Sequence, residues 1–256
     1  MVTEKVSKLI NPEFVGVYVP MKKEIQIKRF KWGHITEERD YVAEENTIEL
    51  LVNGEKRFTV SMSPEELKPF AYGYLYTTGY ISTGKDIKKV CINKNTVDVR
   101  LSDKLSEPLV PSQSKRDVLI NAFDNVVPPN FKKLPTLFKS FSRYSTIFDE
   151  TGGVHSAAAI CDKTSIMYFS EDIGRLSAVD KVIGKALLDN IDFKSGEYFL
   201  LISGRISIEV IQKAGVTGIR SIVSLSAPTA TAIDNANKYK IGIFGFWRGK
   251  TFNIYN

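Results

Sequence analysis

The stretch Tyr198-Phe199-Leu200-Leu201-Ile202-Ser203-Gly204-Arg205-Ile206-Ser207-Ile208-Glu209-Val210-Ile211-Gln212-Lys213-Ala214-Gly215 decides the fold. An apolar, β-favouring run passes through a small polar turn into apolar positions at helical spacing, and Gly215 supplies a stop. This predicts a strand at Tyr198 to Ser203, a loop, and a helix from Ser207 to Ala214. Similar strand signals stand at Ser165 to Phe169, Ser221 to Leu225 and Ile241 to Phe246, with a further one at Phe252 to Tyr255. Helical spacing falls between them: about Ala178 to Leu188, where Val182, Ile183, Ala186 and Leu187 share a face, and again after Pro228. The alternation argues for an α/β domain with a largely parallel sheet and crossover helices.

Upstream the pattern is different. Thr47 to Val52 and Arg57 to Met62 are apolar runs joined through Asn53-Gly54, a hairpin signal. Ser63-Pro64-Glu65-Glu66 then offers an N-cap, a proline at the first helical position and a capping-box glutamate. Leu67, Phe70, Ala71, Tyr74 and Leu75 follow at helical spacing until Gly79. Val90 to Asn93 and Thr96 to Leu101 predict a strand pair around Asn93-Lys94-Asn95. The chain therefore divides into a small N-terminal α+β domain (1–105), a connector (106–145) and a C-terminal α/β domain (146–256).

With 256 residues, 43% of them hydrophobic and 25% charged, the chain can bury a core and is neither disordered nor fibrous. No apolar run is long enough to span a membrane or resembles a signal peptide, so a cytoplasmic location is expected. The two cysteines, Cys91 and Cys161, are far apart and form no metal knuckle. Of the net charge of +6, the stretch 111–145 contributes +4, through Lys115, Arg116, Lys132, Lys133, Lys139 and Arg143. It reads as a solvated basic connector. Without interleaved aromatics it does not call for a nucleic-acid partner.

In an open parallel sheet, ligands bind where the carboxyl ends of strands run into helix N-termini, whose free N–H groups attract anions. Three loops occupy that position: Ser170 to Arg175 with Asp172 and Gly174, Ser203-Gly204-Arg205-Ile206-Ser207, and Ser226-Ala227-Pro228-Thr229. They supply small residues, hydroxyls and two arginines able to grip a phosphate. His155, one of two histidines, is a candidate proton handler. No zinc is expected, because Ala157 stands where a zinc deaminase has its glutamate and no cysteine pair exists. Phe246-Trp247-Arg248-Gly249-Lys250-Thr251, after a strand, combines rings that would stack on a planar ligand with cations that would neutralise its phosphates.

Taken in order, Thr151-Gly152-Gly153-Val154-His155-Ser156-Ala157, Glu171-Asp172-Ile173-Gly174-Arg175 with Ala178, Asp180 and Lys181, and Ser203 to Ser207 resemble the FdhD/NarQ family. Pro64 to Ile81, Ser226 to Thr229 and Gly245-Phe246 extend the resemblance over about residues 45–256. It implies a formate dehydrogenase accessory protein, described as a sulfurtransferase that carries sulfur from a cysteine desulfurase to bis-molybdopterin guanine dinucleotide. It further implies a three-layer α/β/α domain similar to the cytidine deaminase fold without its zinc, a homodimer, and a guanine nucleotide site, probed with GDP, at Phe246 to Thr251. Formate dehydrogenase and the desulfurase are the implied partners.

The sequence departs from the family twice. Where the family carries a persulfide-bearing Cys-x-x-Cys, this chain reads Val110-Pro111-Ser112-Gln113-Ser114-Lys115-Arg116, and a hydroxyl cannot store sulfane sulfur as a thiolate does. Cys91 and Cys161 lie in apolar runs and read as buried, inert residues. Leu176-Ser177 replaces the usual His-Asn, which removes acid/base chemistry from that position. The alternative to a sulfur carrier is thus a cofactor-binding chaperone without sulfur transfer, and whether the chain is an enzyme stays open.

Overall fold

The computed structural model describes residues 20–102, 120, 123–161, 165–195 and 198–256. Its first elements, β1 (Lys22–Lys31) and β2 (His34–Ala43), form a separate two-stranded antiparallel ribbon turning at Trp32 (φ 51) and Gly33 (φ 87). The sequence pattern does not announce it, because its period-two alternation is mostly of charged residues. Its base is held by the Lys22–Glu150 ion pair and by Ala43 packed against Gly153.

The hairpin expected at Asn53-Gly54 forms from β3 (Asn46–Val52) and β4 (Glu55–Met62), with Asn53 (φ 53) and Gly54 (φ 84) supplying the two left-handed residues its turn requires. Helix α1 (Leu67–Thr77) follows, then β5 (Ile87–Asn93) and β6 (Thr96–Leu101), giving a four-stranded sheet in the order β4-β3-β6-β5. Ile48, Leu50, Val52, Val97, Val99 and Leu101 alternate inward, and Leu67, Phe70, Ala71 and Leu75 of α1 cover them. The start of α1 corrects the sequence reading. Glu66 adopts a left-handed conformation (φ 59) with no side-chain cap, so Ser63 and Pro64 lie outside the helix. Ser63 is instead drawn into the second sheet, as described below.

Residues 131–144, part of the expected solvated connector, carry a 3₁₀ turn and helix α2 (Leu134–Tyr144), which buries Leu134, Leu137, Phe138 and Phe141. Its basic residues alternate with this apolar stripe, so the charge drew attention from an amphipathic helix. Ser112 to Arg116 lie outside the described residues. Then come α3 (Thr146–Thr151), β7 (His155–Cys161), β8 (Ser165–Asp172), α4 (Arg175–Leu188), β9 (Tyr198–Ile202), α5 (Ile208–Thr217), β10 (Ser221–Ser224), α6 (Ala230–Tyr239), β11 (Gly242–Gly245) and β12 (Asn253–Ile254). These strands build one sheet in the order β12-β11-β10-β9-β7-β8.

This sheet is mixed rather than largely parallel. Strands β9, β10 and β11 run parallel, whereas β7 is antiparallel to both β8 and β9, and β12 is antiparallel to β11. Strand β7 went unread because Ala157, Ala158 and Ala159 have weak β propensity. Helix α5 also runs past Gly215 to a left-handed C-cap at Gly218 (φ 91); Gly215 keeps helical backbone, and its missing side chain makes room for Ile120. Alternate strand residues face opposite layers. Ala157, Ala159, Leu200, Ile202, Ile222 and Ile243 pack with α4, α5 and α6, while Ala158, Ile160, Leu201, Val223 and Phe244 pack with α2. The result is an α/β/α sandwich.

The small sheet and the sandwich meet through α1 and α4, backbone against backbone. A Cβ on Gly73 would lie 1.8 Å from Asp180 O, and one on Gly184 1.8 Å from Pro69 O. No rotamer relieves a clash with main chain. Gly184→Ala should therefore lower the unfolding free energy by about 1–3 kcal/mol or more, measured by urea denaturation, although alanine has the higher helix propensity.

Candidate functional site

Strands β8, β9, β10 and β11 all point the same way, and β7 begins where they end. Asp172, His155, Ser203 and Gly204, Ser226, and Phe246 therefore line up along one edge of the sheet. The loops are laced together there. Ser156 N donates to Ser203 Oγ at 2.9 Å, Ser226 Oγ to Ser203 O at 2.9 Å, Ser224 Oγ to Gly204 O at 2.7 Å, and Phe246 N to Ser226 O at 3.0 Å. Ser203 and Ser226 thus shape the loops with the same atoms they would offer a ligand. Gly204 leaves room for both neighbours, because a Cβ there would stand 3.2 Å from Arg175 Cβ and 3.3 Å from His155 Nδ1 and would press them aside by a few tenths of an ångström. The Arg175 stem and the imidazole consequently converge over a bare backbone.

Burial, then the positive charges of Arg175 and Arg205, push the His155 pKa below the ordinary histidine value, with Asp172 opposing. Near neutral pH the ring is uncharged beside two guanidinium groups. Among the described residues three side-chain polar atoms are buried without a partner, Ser170 Oγ of β8, Arg175 Nε and Ser207 Oγ, and the last two stand at the starts of α4 and α5, Ser207 being only 7% exposed. Ser207 begins α5 and Gly174 begins α4, and neither provides a side-chain cap, so both N-termini keep open N–H groups. The N-terminus of α6 differs, since Thr229 Oγ1 accepts from Ala232 N. Buried unpaired donors, open helix ends and two cations favour an anion.

Asp172 does not face this space. Its carboxylate is fully buried, 2.6 Å from Lys181 Nζ, and accepts from Gly174 N at 2.7 Å and Ser63 N at 3.2 Å, while Ser63 Oγ accepts from Ile173 N. Burial pushes its pKa up against the pull of Lys181 and the amides. It holds the start of α4, and with it Arg175. Glu171 likewise spends its carboxylate on the Ile147 and Phe148 amides of α3.

The last loop splits the expected stacking pair. Trp247 is 7% exposed and stacks on Phe138, at 4.4 Å between ring centroids, and on Phe252, at 5.7 Å, so it belongs to the core. Phe246 is exposed, held at φ 60, and carries the Arg248 guanidinium 3.9 Å above its ring. A bulky residue in the left-handed region is a strained conformation. The turn closes through Arg248 N to Thr251 O, with Gly249 at φ 73 and with Arg248, Gly249, Lys250 and Thr251 all exposed. The cysteine reading also needs correction. Cys91 is exposed, on the outward face of edge strand β5 where the apolar run gives no cover, and Cys161 at the end of β7 is half-buried.

The family model for FdhD/NarQ matches residues 43–256. The chain belongs to the FdhD/NarQ family. It is 33% identical over 251 residues to the sulfur carrier protein FdhD of Sulfurisphaera tokodaii, covering 90% of this chain and 96% of that one. It is also 33% identical to the sulfur carrier protein FdhD of Bacillus pumilus (92% and 95% covered) and to protein FdhD of Methanocaldococcus jannaschii (92% and 96%). A crystal structure described as a candidate formate dehydrogenase accessory protein from Desulfotalea psychrophila superposes with a TM-score of 0.79 over 93% of this chain and 98% of that one, at 21% identity, and so shares the fold. Among the described residues of this FdhD/NarQ member, no helix is long and apolar enough to cross a membrane.

Two residues that shape this FdhD/NarQ site escaped the loop-by-loop reading. Ser63 comes from the small domain, more than a hundred positions away, and only its Ser-Pro signal was visible, pointing to a cap. The role of Lys181 required the knowledge that α4 turns it toward β8. Lys181→Met should cost about 3–5 kcal/mol of stability in urea unfolding, because it strands a buried carboxylate, and adding Asp172→Asn should recover part of that loss. For His155, the lowered pKa means that the folded state binds fewer protons than the unfolded chain. Its contribution to stability is complete above about pH 6.5 and is lost progressively as the pH falls from there through the lower folded-state pKa. Wild type should therefore lose more stability than His155→Gln between pH 7 and 5.

Proposed function

We propose that this protein holds the guanine dinucleotide form of the molybdenum cofactor, bis-molybdopterin guanine dinucleotide, as an accessory protein of formate dehydrogenase. The observation that carries this reading is the convergence on one sheet edge of Arg175, Arg205 and neutral His155 around bare Gly204, with Arg175 Nε and Ser207 Oγ buried and unpaired. Those atoms fit an anionic ligand. Arg175 and Arg205 would take phosphate oxygens, the N-termini of α4 and α5 would add N–H donors, and Phe246, with Arg248 and Lys250 on the same exposed turn, would offer a face to the ring. The family membership and the names of the curated relatives support a sulfur-carrying role, and the description of the crystal structure that shares the fold supports the accessory one. The bound cofactor would supply the metal redox chemistry of the dehydrogenase, and this chain would bind and orient it. Two copies of the chain would act together, with a cysteine desulfurase upstream.

A second reading adds sulfur carriage by another route. Ser112 and Ser114 occupy the stretch where the family has its cysteine pair, but Cys91 is exposed and open to reaction. Calorimetric titration with GDP, with AMP as control, tests the first reading. Binding of GDP is expected, and Arg205→Ala should weaken it at least tenfold, about 1.4 kcal/mol; equal affinity for AMP and GDP, or no loss on substitution, would count against the site. Mass spectrometry after incubation with a cysteine desulfurase and cysteine separates the two readings. A gain of one sulfur that disappears in Cys91→Ser would establish the carrier, and no gain would leave a cofactor-holding chaperone.

A further inference from the structure

Phe246, at the sheet edge, stands in the left-handed region at φ 60 and is 45% exposed. A bulky residue keeps that conformation only where its surroundings overdetermine it, and here the surroundings can be named. Its amide donates to Ser226 O at 3.0 Å, which pins the turn after β11 to the loop after β10. The next amide, of Trp247, donates to Ser224 O at 3.3 Å, and the Trp247 ring is locked between Phe138 and Phe252. Arg248 then folds back over the turn. Its Nη1 donates to Leu225 O at 2.9 Å and to Trp247 O at 2.7 Å, and its guanidinium lies 3.9 Å from the centre of the Phe246 ring.

These two bonds use both hydrogens of Nη1, so the Nη1–Nη2 fork is closed to a phosphate and only the Nε–Nη2 edge stays open. The guanidinium also covers one face of the Phe246 ring, which leaves the other face as the exposed one. We propose that Arg248 is a positioning residue: it locks the strained Phe246 ring in place before a ligand arrives, as a one-sided platform for a planar base. Its charge is spent inside the turn, on two carbonyls and a ring, and not on a phosphate. A side chain set in advance need not be ordered when the ligand binds, so the lock shows as affinity for the base. The inference rests on the cofactor-holding reading above and divides the labour within it. Phe246, backed by Arg248, meets the base, and Arg175 and Arg205 meet the phosphates.

The test is titration of the full chain with GDP and with guanosine, which carries the base without phosphates, followed by NMR chemical shifts, which reach weak binding. Arg248→Met keeps an unbranched stem and removes the charge and the donors. It should weaken both ligands by the same factor, roughly tenfold, whereas Arg205→Ala should weaken GDP far more than guanosine. A loss confined to GDP would make Arg248 a phosphate ligand, and no loss for either ligand would remove it from the site; both results overturn the proposal. Amide hydrogen exchange of the ligand-free protein tests the lock by itself. In Arg248→Met the Phe246 amide should exchange at least tenfold faster while the Trp247 amide is unchanged, a pattern that general loosening of the fold does not give. If wild type binds neither ligand, the cofactor-holding reading fails, and the exchange still decides the positioning role: faster exchange at Phe246 alone upholds it, and unchanged exchange overturns it.

Discussion

The buried Asp172–Lys181 ion pair is the constraint on which the rest of the architecture turns. Neither partner touches water, so the charges are tolerable only because Gly174 N, Ser63 N and each other satisfy them. Those partners come from three places: the end of β8, the body of α4 and the junction between β4 and α1. One carboxylate thus fixes the direction in which α4 leaves the sheet, and the position of Arg175 one residue past Gly174. A second buried pair, Lys213 with Asp180, joined by Thr77 of α1, repeats the arrangement from the neighbouring residue of α4. The small sheet is therefore part of what positions the site, although it contributes no group to the anion-facing edge.

Between these polar anchors the two helices lie as close as backbones allow, at Gly73 and Gly184. Close approach and buried charge reinforce one another here. A larger side chain at either glycine would push α1 away from α4 and pull Thr77 and Ser63 off their carboxylates, exchanging satisfied polar groups for orphans. The loops at the sheet edge are held by shorter links of the same kind, hydroxyl to main chain, from Ser156 through Ser203 and Ser226 to Phe246.

Much of this was legible in the sequence where a local rule operates. Asn53-Gly54 marks its hairpin, the Tyr198 to Gly215 stretch marks its strand and the body of its helix, and the three loops stand at the carboxyl ends of strands, the first shortened because β8 runs on to Asp172. Legibility failed where tertiary contacts decide. Trp247 reads like a ligand-stacking ring from its charged neighbours, but Phe138, far upstream, claims its face. Cys91 reads as buried from its apolar run, but β5 is an edge strand and among the described residues nothing covers its outward face. Ser63 reads as a cap, and an aspartate on another sheet recruits it.

The chain has two tryptophans, and the fold puts them at opposite extremes. Trp32 is 96% exposed at the tip of the ribbon, while Trp247 is sealed between Phe138 and Phe252 beneath the candidate site. The intrinsic fluorescence of the protein is therefore a sum of two separable signals. A red-shifted component, open to a soluble quencher such as iodide, reports on the ribbon. A blue-shifted component, shielded from the quencher, reports on the floor of the site, so both regions can be followed in one unlabelled sample.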